Sequence, residues 1–492
     1  MTVEGTMSEK GLSRKENVVI VLMSSLITLT SSMATSLVLP ILPEFLDAMG
    51  LQGQLITGFV FSIMPATIIV LSPLCNWMAK KLGRTFLLYF GVPLQAAASL
   101  AFGFAPLVAG GKAGLLIAIF LITRALQGFG TACANLAQFA IVTDSFDTYL
   151  GRVMGINEVM TGLGFMLGPI IGSVLYDSSG FSSTFIVADV MLLLSLPLIV
   201  VYDIQRRRRE RIGEEEGEGK DAHDLEEQPA KKEDNTEEKS FWQQIKQVLG
   251  WRIMLTCIIL LIGTGFFGWS TTVLSLHLLN DLHVEQKFVG LVFAAPSITT
   301  IVVGPFAGAL ADFCGYKRVL VSGVTFSGVL LMLVGPLSSL IWGSHLRQRL
   351  IWEAFFLALS GVSQCSIMAA ALPAMRDCVP KKRAQNAGAT NTIVMLMNQF
   401  QEAGMIFAPP LAGALGPLLG FGKTYFVYGL VMIATGVVSA LAFGIHGGVP
   451  KEDDRSSEGS KSYFSGSKKD IELVIQEQEE SIRLIGSKEE AS

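Results

Sequence analysis

The stretch Gly58-Phe-Val-Phe61, followed by Pro73 and Gly83, recurs as Gly290-Leu-Val-Phe293, followed by Pro305 and Gly315. The offset is a constant 232 residues, and Thr67/Thr299, Ile69/Ile301, Val70/Val302 and Ala79/Ala311 match in the same register. An apolar helix repeated in register constrains the chain to two equivalent halves. With 51% hydrophobic and only 16% charged residues, and a mean hydropathy of +0.51, those halves belong in a bilayer rather than in water.

Apolar windows of about twenty residues give twelve spans. Their limits are 18–41, 55–79, 86–107, 114–141, 152–175, 184–203, 253–276, 287–311, 318–341, 350–372, 388–415 and 424–446. The expected organisation is an N-terminal segment (1–17), a six-helix bundle (18–203), a charged linker (204–250), a second six-helix bundle (251–446) and a tail (447–492). The first apolar run is too long for the core of a signal peptide and reads as a retained helix. Lys80, Lys81, Arg84, Arg152, Arg206 to Arg209, Lys317, Arg318 and Lys381 to Arg383 all fall on one face. The positive-inside rule therefore expects both termini and the linker in the cytosol. The arginine run reads as a topology stop signal and the rest of the linker as a tether with too little apolar surface to fold. Its final segment, from Ser240 to Lys246, is amphipathic.

The net charge of −4 is segregated into linker and tail, which excludes a nucleic-acid partner. The six cysteines have no metal-ligand spacing and no disulfide is expected. No metal, cofactor or catalytic constellation is expected in or between the spans, so the chain does not read as an enzyme. His277 and His283, at the end of span seven, read as surface residues. Membrane proteins built from two repeated bundles are most often carriers, because rocking bundles expose one central site to each side in turn.

Three acids fall inside apolar windows: Glu158 in span five, Asp189 in span six and Glu402 in span eleven. An ionised carboxylate at such depth is expensive, so its protonation should couple to conformation. Arg124, deep in span four, carries the same cost and is expected to face the bundle interior. Ser31, Asn135, Gln138, Phe266, Trp269 and Gln364, from spans one, four, seven and ten, are expected to line a pocket between the acids. Aromatic rings opposite carboxylates suit an organic cation.

Several motifs resemble those of the major facilitator superfamily, along nearly the whole chain. Gly308-Ala-Leu-Ala-Asp312-Phe-Cys-Gly315-Tyr-Lys317 resembles the loop signature that follows the second helix of each half in that family. In the first half, Asn76-Trp-Met-Ala-Lys80-Lys-Leu-Gly83-Arg84 lacks the leading glycine and the acid, so an asymmetric gate is expected. Arg124-Ala-Leu-Gln127-Gly128 resembles the family's arginine motif, which implies an influence of Arg124 on proton transfer. Gly164-Phe-Met-Leu-Gly168-Pro169-Ile-Ile-Gly172 resembles the motif that marks antiporters, and its small residues should pack against a partner helix.

Val38-Leu-Pro40-Ile-Leu-Pro43 and the segment from Asn157 to Pro169 resemble vesicular amine transporters, the latter their polyamine branch. Ser31 stands where monoamine carriers have an aspartate, which favours polyamines or assorted cationic compounds over monoamines. The resemblance thus implies an all-α major facilitator fold and proton-coupled antiport of organic cations in a vesicular, endolysosomal or plasma membrane. Plasma-membrane multidrug efflux is an alternative with the same chemistry, and a transporter-like sensor without flux is another. Glu480, Leu484 and Ile485 form an acidic dileucine pattern of the kind that sorting adaptors read.

Overall fold

The computed structural model describes residues 14–51, 53–146, 150–218, 250–342, 345–379 and 387–444. The segment from Ser240 to Lys246, the basic residues Lys381 to Arg383, and Glu480, Leu484 and Ile485 lie outside the described residues, as does most of the linker.

Among the described residues, eleven helical runs are long and apolar enough to cross a bilayer. The longest, Ala387–Phe443, breaks at Gly420, where φ is 75°. Residues 387–419 and 421–443 therefore form separate crossings, spans eleven and twelve. Spans one to five are Arg14–Ser36, Gly53–Leu82, Arg84–Ala109, Ala113–Ser145 and Leu150–Ser179, with a short helix, Leu42–Ala48, after the first. Span six joins Phe181–Leu193 to Leu196–Glu218. Spans seven, eight and ten are Trp251–Leu276, Gln286–Cys314 and Leu346–Asp377. Span nine comprises Tyr316–Met332, a π turn at Leu333–Leu337 and Ser338–Trp342. The face where span one begins is called proximal below, and the opposite face distal.

The second part of span six continues through Arg206–Arg209 to Glu218, so the start of the expected tether is helical. Arg207 pairs with Asp203 one turn back at 2.9 Å, and Arg206 donates to the Thr85 hydroxyl at 2.7 Å. Those contacts extend the helix beyond its apolar stretch.

The repeat reappears as geometry. Gly83 and Gly315 turn spans two and eight into spans three and nine with φ of 90° and 91°, a conformation that a side chain would strain. On span two, a Cβ at Gly58 would stand 2.4 Å from the Pro409 carbonyl oxygen of span eleven; on span eight, one at Gly290 would stand 2.1 Å from that of Pro169 on span five. Each pair of crossing helices joins the N-terminal half to the C-terminal half, and in each a missing side chain allows backbone-to-backbone contact.

At the distal end the N-terminal bundle is held by phenyl rings. Phe45 of the short helix stacks on Phe181 at 4.2 Å, Phe102 stacks on Phe120 at 4.3 Å, and Phe185 lies 5.3 Å from Phe102. Such offset and tilted pairs add attraction beyond simple area burial.

Candidate transport site and its relatives

Helical spacing sets Glu158, Gly162, Phe165, Pro169 and Ser173 on one stripe of span five. Each of the following contacts of that stripe is with the other half. A Cβ at Gly162 would meet Ile301 of span eight at 3.1 Å; Phe165 meets the Phe267 ring of span seven at 5.1 Å; Pro169 and Ser173 flank Gly290. Span eleven repeats the design with Glu402, Ile406, Pro409 and Gly413. Its Ile406 carbonyl accepts from Ser62 of span two at 2.8 Å, and Gly413 abuts the Gln54 backbone. Both acids thus lie on the seam between halves. Glu158 is eleven residues from its proline and Glu402 seven, so Glu158 sits about 6 Å nearer the proximal face at 1.5 Å per residue.

The seam is closed distally. Ser275 at the end of span seven donates to the Pro40 carbonyl at 2.6 Å, and Gln286 reaches the same oxygen at 3.5 Å. Towards the proximal face it opens. Glu158 and Asn135 are exposed, and the space beside Gly155 is empty. Glu402 is half-buried, and Glu158 lies within electrostatic reach of Cys365 on span ten.

On span four, Arg124, Gly128, Thr131, Asn135 and Gln138 share one stripe. Arg124 is only 3% exposed. Its Nη1 donates to Gln127 at 2.8 Å, and its guanidinium lies 5.0 Å from the Phe102 ring and 5.9 Å from that of Phe61. Among the described residues it makes no ion pair, so ring faces and an amide stand where solvent or a carboxylate would otherwise offset its charge. Gln138 donates to Thr28 at 3.0 Å, and Ser31 and Gln95 are hydrogen-bonded at 2.8 Å. These side chains fasten span one to spans three and four.

Asp189 is 1% exposed, and neither carboxylate oxygen has a hydrogen bond. The Ser99 hydroxyl stands beside it, outside hydrogen-bond geometry. It lies in the N-terminal bundle, away from the seam stripes.

Two expected pocket aromatics do not line a pocket. Phe266 and Trp269 are 2% and 3% exposed. Trp269 stacks on Tyr428 of span twelve at 4.5 Å, and Tyr428 donates to the Ile262 carbonyl at 2.7 Å. Their face of span seven is filled by span twelve within the bundle, so the rings act as core. Gln364 is half-buried and donates to the Gly263 carbonyl at 3.0 Å.

At the proximal turns, Arg84 pairs with Asp144 at the end of span four and donates to the Ala140 carbonyl at 3.2 Å. The acid missing from the first loop motif is thus supplied from another helix, a substitution that linear spacing could not reveal. Lys317 is half-buried next to Gly315. Gly308 and Asp312 lie in the span-eight helix, but the surroundings of both are outside the described residues. Gly164 and Gly168 press on span one, where added Cβ atoms would fall 2.7 Å from the Leu29 and Met33 carbonyl oxygens.

The reading of His277 as a surface residue is overturned. It is 3% exposed, with Nδ1 2.6 Å from Asp281 Oδ2 and Nε2 3.0 Å from Glu353 Oε2. Glu353, a fully buried acid of span ten, escaped the sequence reading because it follows the basic stretch that begins that span. His283, with φ of 53°, is exposed.

The sequence is 24% identical over 436 residues to the human "MFS-type transporter SLC18B1", covering 88% of each chain. It is 24% identical over 418 residues to the "Multidrug resistance protein MdtG" of Enterobacter lignolyticus, covering 83% of this chain and 88% of that one. The fold is similar to that of a D-xylose-proton symporter, with a TM-score of 0.63 at 13% identity over 86% of this chain and 97% of the other. A POT family transporter in complex with a thioalcohol-conjugated peptide gives a TM-score of 0.60 at 15% identity, over 88% of this chain and 97% of the other. The family profile described as Major Facilitator Superfamily matches residues 24–278 and 255–478, and the chain belongs to that superfamily.

Proposed function

We propose that this protein is a secondary active transporter that exchanges protons for organic cations, polyamines and drug-like amines being the first candidates. The observation that carries this reading is the placement of Glu158 and Glu402 on matching stripes of the two helix pairs that join the halves. A carboxylate on a seam that opens and closes meets water in one state and protein in the other. Its charge then costs little in the first and several kcal/mol in the second, so proton or cation binding biases the equilibrium. Arg124 tunes that balance from span four, and Asp189, orphaned within the N-terminal bundle, is a third proton-holding candidate. Asn135 and Gln364 contribute polar lining. The turns at Gly83 and Arg84, and at Gly308, Asp312, Gly315 and Lys317, serve as the proximal gate. The proximal face, rich in basic residues, is assigned to the cytosol.

Relatives bearing the names of a transporter and a multidrug resistance protein support movement of small molecules. The test is uptake of labelled spermidine and of a cationic dye into proteoliposomes, with and without an imposed pH gradient. Wild type should accumulate cations only with the gradient, and Glu158→Gln and Glu402→Gln should each abolish accumulation. Full-rate, gradient-driven uptake by both variants would overturn the assignment. Substrate binding without flux in wild type would favour a sensor.

A further inference from the structure

The distal end of the C-terminal bundle holds a buried ionic cluster away from the seam acids. At the end of span seven the helix widens into a π turn, Leu282 N–H donating to the His277 carbonyl at 3.1 Å. Such turns recur at functional sites because they re-aim side chains. Here the turn places Asp281 against His277 Nδ1 at 2.6 Å. Nε2 of the same ring faces Glu353 of span ten at 3.0 Å. Glu353 also accepts from Arg349 Nε at 2.9 Å and from Ser338 of span nine at 2.7 Å. Span nine has its own π turn just before Ser338, and Trp352 captures its Leu333 carbonyl at 2.9 Å. From span twelve, Phe421 lies flat on the imidazole at 3.6 Å, with Tyr425 behind it at 4.3 Å. The charged and titratable groups facing the histidine are therefore Asp281, Glu353 and Arg349, with Tyr425 beyond Phe421 and His283 near Asp281.

A neutral imidazole has one N–H, so it can donate to only one of two carboxylates and turns a lone pair on the other. With a second proton both contacts become donating, and the cluster of two carboxylates, one guanidinium and one imidazolium is electrically neutral. The fully buried Glu353 then has every neighbour donating to it. Asp281 is 58% exposed at its side chain and offers the proton a path to distal water.

We propose that His277 is a proton-binding site, separate from Glu158 and Glu402, that fastens the distal closure of the carrier. Two residues before it, Ser275 makes the 2.6 Å bond to Pro40 that joins the halves. Proton binding from the distal side ties span seven to spans nine, ten and twelve and holds Ser275 in place. Loss of the proton sets a lone pair against a carboxylate, the π turn relaxes, and the seal with Pro40 weakens. Distal acid therefore favours the state closed on that side. The link to transport rests on the carrier reading above, but the proton site and its effect on closure do not.

The experiment uses full-length protein in nanodiscs with His223, His283, His345 and His446 changed to Gln, leaving His277 as the sole histidine. Nitrogen-15 NMR should show both ring nitrogens protonated at pH 7.4, with loss of that signal on alkalinisation. Glu353→Gln should leave a neutral ring at pH 7.4. In parallel, spin labels at Lys112→Cys and Lys423→Cys, exposed distal positions in the two halves, report closure. The half-buried Cys314 and Cys378 are replaced by Ser. The label separation should lengthen as the His277 proton is lost, and Glu353→Gln should remove that pH dependence. A neutral single-tautomer ring in the single-histidine protein at pH 7.4 would overturn the proposal, as would the same pH-dependent separation in Glu353→Gln. Either result can be read whether or not the protein moves cations.

Discussion

Replacing Gly290 with alanine should push the transporter out of the conformation seen here. The added Cβ would stand 2.1 Å from the Pro169 carbonyl oxygen and 2.6 Å from its carbon, whereas carbon and oxygen normally approach to about 3.3 Å. The two nearest atoms belong to backbone, so turning the Ser173 side chain away, which stands at 2.8 Å, does not relieve the overlap, and spans five and eight must separate by about 1 Å. Overpacking of this kind costs about 1–3 kcal/mol, which shifts a two-state equilibrium by about 5- to 150-fold. On the alternating-access reading proposed above, the opposite state parts these helices and the loss falls only on the distally closed state. The readout is a cysteine at Gly155, on the seam stripe one turn proximal to Glu158, where a side chain meets nothing within 4 Å. With Cys314 and Cys378 changed to Ser, its labelling by an impermeant maleimide should slow when Gly290→Ala is added, by up to the factor that the equilibrium shifts. Gly114→Ala, placed in open space, should leave the rate unchanged. A folded Gly290→Ala protein that labels at the parent rate would refute the reasoning.

Other consequences can be measured more simply. Glu44, in the short helix between spans one and two, has its carboxyl pushed up to about 7 by burial and then by nearby Asp177. The folded state therefore binds the proton more tightly than the unfolded one, and stability should fall as pH rises from about 4.5 to 7. Glu44→Gln should flatten that part of the thermal-melting profile. The Arg84–Asp144 pair is 41% and 62% exposed, so Asp144→Asn should change stability by less than about 1 kcal/mol in a denaturation assay. Gly164→Val should lower the melting temperature, through a clash with span one costing at least about 1–3 kcal/mol.

What could be read in sequence was whatever repeats or alternates locally. The offset copy of Gly58 at Gly290 announced two halves, and those two glycines mark close backbone contacts across them. Motif spacing placed the glycines of span five correctly because small residues four apart must share a face. Partnerships between distant helices were not legible. His277 and Glu353 stand 76 positions apart, and nothing near either residue points to the other. Phe266 and Trp269 looked like pocket lining because their helix borders the centre, but which side of span seven faces inward depends on span twelve. Arg206 to Arg209 looked like loop because their charge is unsuited to a core, yet an ion pair to Asp203 and a bond to Thr85 keep that stretch helical.

The distal ends of the two bundles, alike in the repeat that generated them, are fastened by different forces. Phe45, Phe102, Phe120, Phe181 and Phe185 clamp the first with oil-like contacts that ignore acidity and ionic strength. The second is cinched by ions and an imidazole, which respond to both. A change in the medium on that side therefore reaches the second bundle through the fastening itself, and the first only at Glu44, beside its clamp.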